Sequence, residues 1–323
     1  MSRLENMLYV KAVKEKSVAN APAPGSLEDV SLAVGAADGG CTSAGKAQAP
    51  GKGIRKLYAD VHRSSKNADG YRIAYTTDGV AFKHVDDFTD IPVNAGDKLL
   101  VDVLPLHHTD GVIELLRRGV EVYYLRRLTL IKKKREELKL PKTTRGDIKV
   151  LMSIEHKWFR RVTEDFLVMR RMIAAYRTLL RIHQQLTSKQ KAVSDAERHT
   201  IKPAIKAVEE QMDEMAKKIA EEAGRRYPAY NRLVEKLGID GNTSAMEALA
   251  EILILPEWMS WRRTKNYFGM WKRDRKTYHH RSKTTRQALE RLTMAIKGYG
   301  IRGRDLKEVL KTIWLTRKTD PPA

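Results

Sequence analysis

Apolar and polar positions along this chain follow three successive patterns. Between Ile54 and Leu125 the apolar residues form short β-prone runs, at Leu57 to His62, Tyr71 to Thr77, Val80 to Val85, Lys98 to Leu104 and Val120 to Leu125. Asn67-Ala68-Asp69-Gly70 and Asp78-Gly79 separate the first three, as turn residues separate strands. Asp78-Gly79 between two such runs predicts a hairpin. Helical spacing follows over roughly 109–118, 128–138 and 144–158. Three strands, then alternating helix and strand, predict an α/β domain over 54–160, a pattern shared by several mixed sheets.

The second pattern is a heptad-like stripe. Val162, Phe166, Met169, Ile173, Tyr176 and Leu180 recur at spacings of four and three, and so do Ile201, Ile205, Val208, Met212, Met215 and Ile219. Each stripe is narrow and flanked by Glu, Lys and Arg, which predicts a coiled-coil arm over 161–226 that brings chains together as a dimer or tetramer. A helical hairpin folded on itself satisfies the same stripes. Ser194 with Glu197 has the form of a capping box, and Pro203 suits the first turn of the second helix.

The third pattern, over 227–323, is a small basic helical domain. Ser244 to Ile254 forms an amphipathic helix ended by Pro256; Trp258-Met259-Ser260-Trp261-Arg262-Arg263 opens another, and Thr284 to Ile296 a third. Between them, Trp271 to Arg281 interleaves cations with aromatics. Lys272, Arg273, Arg275, Lys276, Tyr278, His279, Arg281 and Lys283 are therefore candidates for phosphate contact and base stacking, with a solvated basic loop as the plain alternative. At the other end, residues 16 to about 53 are rich in Ala, Gly, Ser and Pro. They bury too little apolar surface to offset ordering entropy, so 1–53 is expected to be a flexible leader.

Charge sharpens the picture. Across 323 residues, 61 Lys and Arg face 40 acids, for a net charge of +21. Such an excess favours nucleic acid or an anionic surface as partner. No run approaches the length of a membrane span, and the N-terminus lacks the basic-then-apolar signal pattern, so a cytoplasmic, nucleoid-associated protein is expected. A single cysteine, Cys41, excludes an intrachain disulfide and a cysteine-cluster zinc site.

Two carboxylates break the strand pattern. Asp60 ends the apolar run Lys56-Leu57-Tyr58-Ala59-Asp60-Val61-His62, and Asp102 sits inside Leu99-Leu100-Val101-Asp102-Val103-Leu104. A desolvated carboxylate costs several kcal/mol unless it is paired or binds a metal. Two of them in strands of a strongly basic chain point to metal-assisted chemistry on nucleic acid.

The ordered series of motifs resembles the DEDD transposases and recombinases of prokaryotic insertion sequences, the group of the Piv-type invertases and the bridge-RNA-guided recombinases. Tyr58-Ala59-Asp60-Val61-His62 is similar to that family's first acidic strand, and Val101-Asp102-Val103-Leu104, with Gly111, Gly119 and Val120-Glu121-Val122-Tyr123, to its second. Lys142-Thr143-Thr144-Arg145-Gly146-Asp147 resembles its Lys-Thr-Asp-x-x-Asp motif. Ala248 to Ile252, Leu255-Pro256, Tyr267-Phe268-Gly269-Met270 and Lys283 through Arg286 to Leu289 resemble its helical domain. The resemblance implies a RuvC-like, ribonuclease H-type N-terminal domain. It also implies Asp60, Asp102 and Asp147 as ligands of Mg²⁺ (or Mn²⁺), DNA strand cleavage and transfer as the reaction, and a structured guide RNA as a further partner in the RNA-guided branch.

Three departures qualify what the resemblance implies. The family's second acid is a glutamate where this chain has Asp102, and its third acid falls on the neutral Thr144. The family's nucleophilic serine, set after a Gly-Leu-x-Pro turn, has no direct counterpart, leaving Thr277 and Ser282 as the hydroxyl candidates. These losses define a rival expectation: a catalytically reduced descendant that binds DNA or RNA as a scaffold.

Overall fold

The computed structural model describes residues 54–63, 71–255, 260–270, 272–273, 276–277 and 283–318. The expected leader with Cys41, the Asn67–Gly70 turn, Pro256 and Trp258-Met259 lie outside the described residues, as do Trp271, Arg275, Tyr278, His279, Arg281 and Ser282.

Six strands form one mixed sheet: β1 (Lys56–Arg63), β2 (Tyr71–Thr76), β3 (Lys83–Val85), β4 (Lys98–Val101), β5 (Glu121–Leu125) and β6 (Phe159–Arg161), in the order β3-β2-β1-β4-β5-β6. β1, β4 and β5 run parallel; β2, β3 and β6 pair antiparallel with their neighbours. Helix α1 (Thr109–Arg117) links β4 to β5, while α2 (Thr129–Glu137) and α3 (Thr144–Ser153) lie between β5 and β6.

The alternation of strand side chains explains the two cores. Leu57, Ala59, Val61, Leu99, Val101 and Val122 point to one face, where Val112 and Leu115 of α1 cover them. Tyr58, Leu100, Tyr123 and Leu125 point to the other, covered by Ile131 of α2 and Val150 and Leu151 of α3. A sheet buried on both faces accounts for the near-continuous apolar runs of its parallel strands. The even-numbered positions of β1 therefore look toward α2 and α3.

Several boundaries moved from those expected. The expected run Val80 to Val85 is strand only at Lys83–Val85 and opens on a turn: Thr76 donates its hydroxyl proton to Asp78 Oδ1 at 2.9 Å, and the same oxygen accepts the Val80 and Ala81 N–H groups at 2.8 and 2.9 Å. Gly79, with φ +75°, supplies the left-handed position this turn requires. The third helical stretch stops at Ser153 and gives way to β6, three residues too short to read from periodicity.

The arm is an antiparallel pair, α4 (Glu164–Ala192) and α5 (Asp195–Arg226). Thr163 caps α4 by accepting the Phe166 N–H at 3.2 Å, and the Glu197 carboxylate accepts the Ser194 N–H at 3.1 Å. Met169, Ile173 and Tyr176 face Ala216, Ile219, Ala220 and Ala223, so the two stripes meet within the chain. Two expectations are corrected. Val162 precedes the helix and belongs to the sheet, its N–H donating to the Val122 carbonyl at 2.8 Å. Pro203 lies inside α5, because the capping box at Ser194 starts that helix earlier. Pro203 and His199 are both exposed, so water can satisfy the His199 carbonyl that the proline leaves without its helical donor.

The remaining helices, α6 (Pro228–Leu237), α7 (Thr243–Leu253), α8 (Trp261–Tyr267), α9 (Lys283–Lys297) and α10 (Gly303–Lys318), share one core with the proximal arm. Helix α7 is buried on nearly every side through Ala245, Ala248, Leu249, Ile252 and Leu253. Strands β7 (Lys272–Arg273) and β8 (Lys276–Thr277) pair as a small antiparallel ladder. Among the described residues no helix is long and apolar enough to cross a membrane.

Candidate acidic site on the sheet

Strand register brings the first two acids together. Ala59 of β1 pairs with Val101 of β4, so Asp60 and Asp102 occupy the next positions on neighbouring parallel strands. Strand β4 ends there, because Asp102 takes over the ladder with its side chain: Oδ1 accepts the Val61 N–H at 3.1 Å. Both carboxylates are buried, with 6% and 8% of their surface exposed.

The third acid arrives from above. Thr143 caps α3, accepting the Gly146 N–H at 3.1 Å, and places Asp147 in the first turn. Gly146 lets the preceding loop close over the helix start; a Cβ there would lie 2.3 Å from the Pro141 carbonyl oxygen. Thr144 opens the same turn and is half-buried. Asp147 does not stand alone, because Arg135 of α2 donates from Nε to Asp147 Oδ1 at 2.7 Å and also engages it through Nη2.

The electrostatics reflect this crowding. Burial raises the Asp60 carboxyl to about 8, helped by the charges of Asp102 and Asp147 and a hydrogen bond shared with Asp102, while Arg135 pulls it down. Asp102 rises to about 6, again chiefly through burial, with the N–H groups of Val61 and Val103 opposing. His62 Nδ1 sits 3.8 Å from Asp60 Oδ2 and has no hydrogen-bond partner.

The donor chemistry fits a hard divalent cation: three carboxylates supply oxygen ligands, and two of them are raised by burial and neighbouring negative charge that a cation would offset. The arrangement is less complete. Among the described residues no group of three or more His, Cys, Asp or Glu side chains is disposed to hold an ion, and Arg135 already neutralises Asp147.

The other expected site residues stand apart from this cluster in sequence and element. Lys272 and Arg273 lie on β7, Lys276 and Thr277 on β8, and Lys283 opens α9; Ser282, Arg275, Tyr278, His279 and Arg281 fall outside the described residues. Two pieces of the helical-domain motif do meet, since Arg286 of α9 donates to the Phe268 carbonyl at 2.9 Å beside the Gly269 turn.

Arg135 is the participant that sequence reasoning missed. It sits in the run Lys132-Lys133-Lys134-Arg135, where nothing in the pattern separates it from its solvated neighbours. In comparisons with known proteins, no family model and no curated protein matches this chain.

Proposed function

We propose that the protein is a DNA transposase or recombinase that cleaves and transfers nucleic-acid strands with metal assistance. The observation that carries this is the placement of Asp60 and Asp102 side by side at the ends of neighbouring parallel strands, with Asp147 of α3 acting electrostatically on Asp60, in a chain of net charge +21. An antiparallel opening of three strands, followed by parallel strands linked through helices, supports a RuvC-like, ribonuclease H-type domain.

Asp60, Asp102 and Asp147 are the residues that would hold Mg²⁺ or Mn²⁺. Such an ion, when bound, polarises the scissile phosphate and lowers the pKa of an attacking water or hydroxyl. The chain's own residues do the rest. The Val61 N–H orients Asp102, the Thr143 cap orients the turn carrying Asp147, and Arg135 supplies positive charge beside the acids. A hydroxyl from the basic segment, Thr277 or Ser282, is the candidate for a covalent step.

DNA is the proposed substrate and a structured guide RNA a further proposed partner, bound through the cations of Lys272 to Lys283; the cytoplasm, at the nucleoid, is the proposed location. Self-association through the arm would use its outer side, where Ile182 is 39% exposed, because the facing stripes serve the hairpin itself.

One observation favours a second reading. The Arg135–Asp147 ion pair fills the charge balance that a metal would otherwise supply, as expected of a reduced descendant acting as a DNA- or RNA-binding scaffold. Incubating the full chain with duplex, single-stranded and RNA-bound substrates in Mg²⁺ or Mn²⁺ separates the two. The enzyme yields cleaved or joined strands; the scaffold binds and leaves them intact.

A further inference from the structure

The acidic site has a cationic neighbour that its own chemistry does not explain. His62 follows Asp60 by two residues on β1, so both side chains share one sheet face. Register extends that face: His62 pairs with Arg72 of β2, Asp60 with Ala74, and Ala74 in turn with His84 of β3. His62, Arg72 and His84 therefore stand together on the side where Asp60 lies. The His62 and His84 rings meet edge to face with centroids 6.0 Å apart.

Helix α3 adds a second guanidinium. Arg145, two residues before Asp147, projects over the Phe82 ring, its guanidinium carbon 5.5 Å from the centroid. Arg72, His62 and Arg145 each act electrostatically on His84, which puts all four groups in one field. Arg72 pairs loosely with Asp86, whose Oδ1 is 3.7 Å from its Nε, too far for a hydrogen bond, and that buried nitrogen has no hydrogen-bond partner.

Cations on a sheet edge commonly serve only to block edge-to-edge pairing. That role does not call for convergence. Here the groups come from three strands and a helix, alongside three carboxylates that would repel any phosphate brought to them. Cations beside the acids can hold a phosphodiester backbone there, a role Arg135 cannot take because it is already committed to Asp147.

We propose that His62, Arg72, His84 and Arg145 form a phosphate-binding rim that holds the nucleic-acid backbone against the acidic site. The inference deepens the proposed function and rests on it for the identity of the ligand. Arg72 and Arg145 supply permanent charge, with guanidinium forks suited to phosphate oxygens, and the two imidazoles add hydrogen-bond donors. The rim consists of residues other than those of the basic segment at Lys272 to Lys283.

The test measures binding without cleavage, using a short fluorescein-labelled duplex and its single strand in EDTA, read by fluorescence anisotropy across a salt series. Arg72→Ala/Arg145→Ala should bind the duplex at least roughly tenfold more weakly, and the slope of log affinity against log salt should flatten by about 1.8, at ~0.9 per lost phosphate contact. Arg72→Lys/Arg145→Lys keeps the charges and should recover most of that slope, which separates contact from misfolding. An Ala variant that matches the wild type in affinity and slope overturns the rim, and cleavage by the wild type would leave the enzyme reading standing. Loss of binding in the Ala variant alone, from a wild type that never cleaves, supports the rim while the enzyme reading falls. A wild type that binds neither strand form overturns both.

Discussion

Arg135 and Asp147 form an ion pair, Nε to Oδ1 at 2.7 Å, between α2 and α3 above the sheet face that carries Asp60 and Asp102. This contact decides the resting charge of the site, because it balances the acid that shares a helical turn with the neutral Thr144. A metal that recruits Asp147 competes with a guanidinium already in place.

Replacing that guanidinium should therefore act in two directions. Arg135→Gln leaves Asp147 among other acids and is expected to cost about 1.5–3 kcal/mol, the range for a hydrogen bond to a charged group. The same change should tighten Mn²⁺ binding, so adding Mn²⁺ should recover more melting temperature in the variant than in the wild type. Calorimetric titration with Mn²⁺ checks it; equal affinity in both proteins would show that Asp147 takes no part in metal binding.

Gly146 holds the turn that presents Asp147. Gly146→Ala sets a methyl 2.3 Å from the Pro141 carbonyl oxygen, so the loop or the helix start must shift. A loss of about 1–3 kcal/mol is expected, the usual cost of overpacking. Denaturant unfolding measures it, and a variant as stable as the wild type would mean that the loop yields freely.

How much of this was legible beforehand depended on the physics of each part. Asp60 and Asp102 stood out because a strand pattern makes a carboxylate anomalous, and register then placed them side by side. Asp147 was found through resemblance, since an acid in a first helical turn is ordinary. Arg135 could not be found, because partner choice within a basic run is set by tertiary packing. Strand β6 was hidden by its length, and the arm stripes identified a helical pair without showing that α4 and α5 satisfy each other.

Ile205, buried within the arm, separates two roles for those stripes. Ile205→Asp should lower the melting temperature by an amount independent of protein concentration, with the oligomeric state unchanged by light scattering, because the seam is intramolecular. A buried unpaired charge there should cost several kcal/mol. Conversion of an oligomer to monomers would instead place Ile205 between chains.

A buried cluster in the helical core predicts the pH response. Glu247 is 0% exposed and Glu251 2%, with Arg291 donating to both at 2.8 and 3.3 Å and Arg177 donating to Glu251 at 2.6 Å. Burial raises Glu247 to about 8; Arg291 opposes the rise but is shared with Glu251, and Glu247 Oε1 has no partner. The folded state thus binds a proton that the unfolded chain has released above its ordinary value of 4.5. Stability should fall as pH rises from about 4.5 to about 8, by up to ~1.4 kcal/mol per pH unit from this group. Glu247→Gln should flatten that limb, as measured by urea unfolding across pH; an unchanged slope would show that Arg291 keeps Glu247 ionised throughout.

Asp60→Asn tests whether the three acids support metal-dependent strand cleavage. The substitution keeps the shape of the side chain but removes a ligand charge that a hard cation requires. Cleavage of labelled DNA in Mg²⁺ or Mn²⁺ should fall by about 10²-fold or more, while binding in EDTA stays within about twofold of the wild type. If Asp60→Asn cleaves as well as the wild type, or the wild type cleaves no duplex, single-stranded or RNA-bound substrate with either metal, the enzyme reading is contradicted and the acids are the remnant of a lost site.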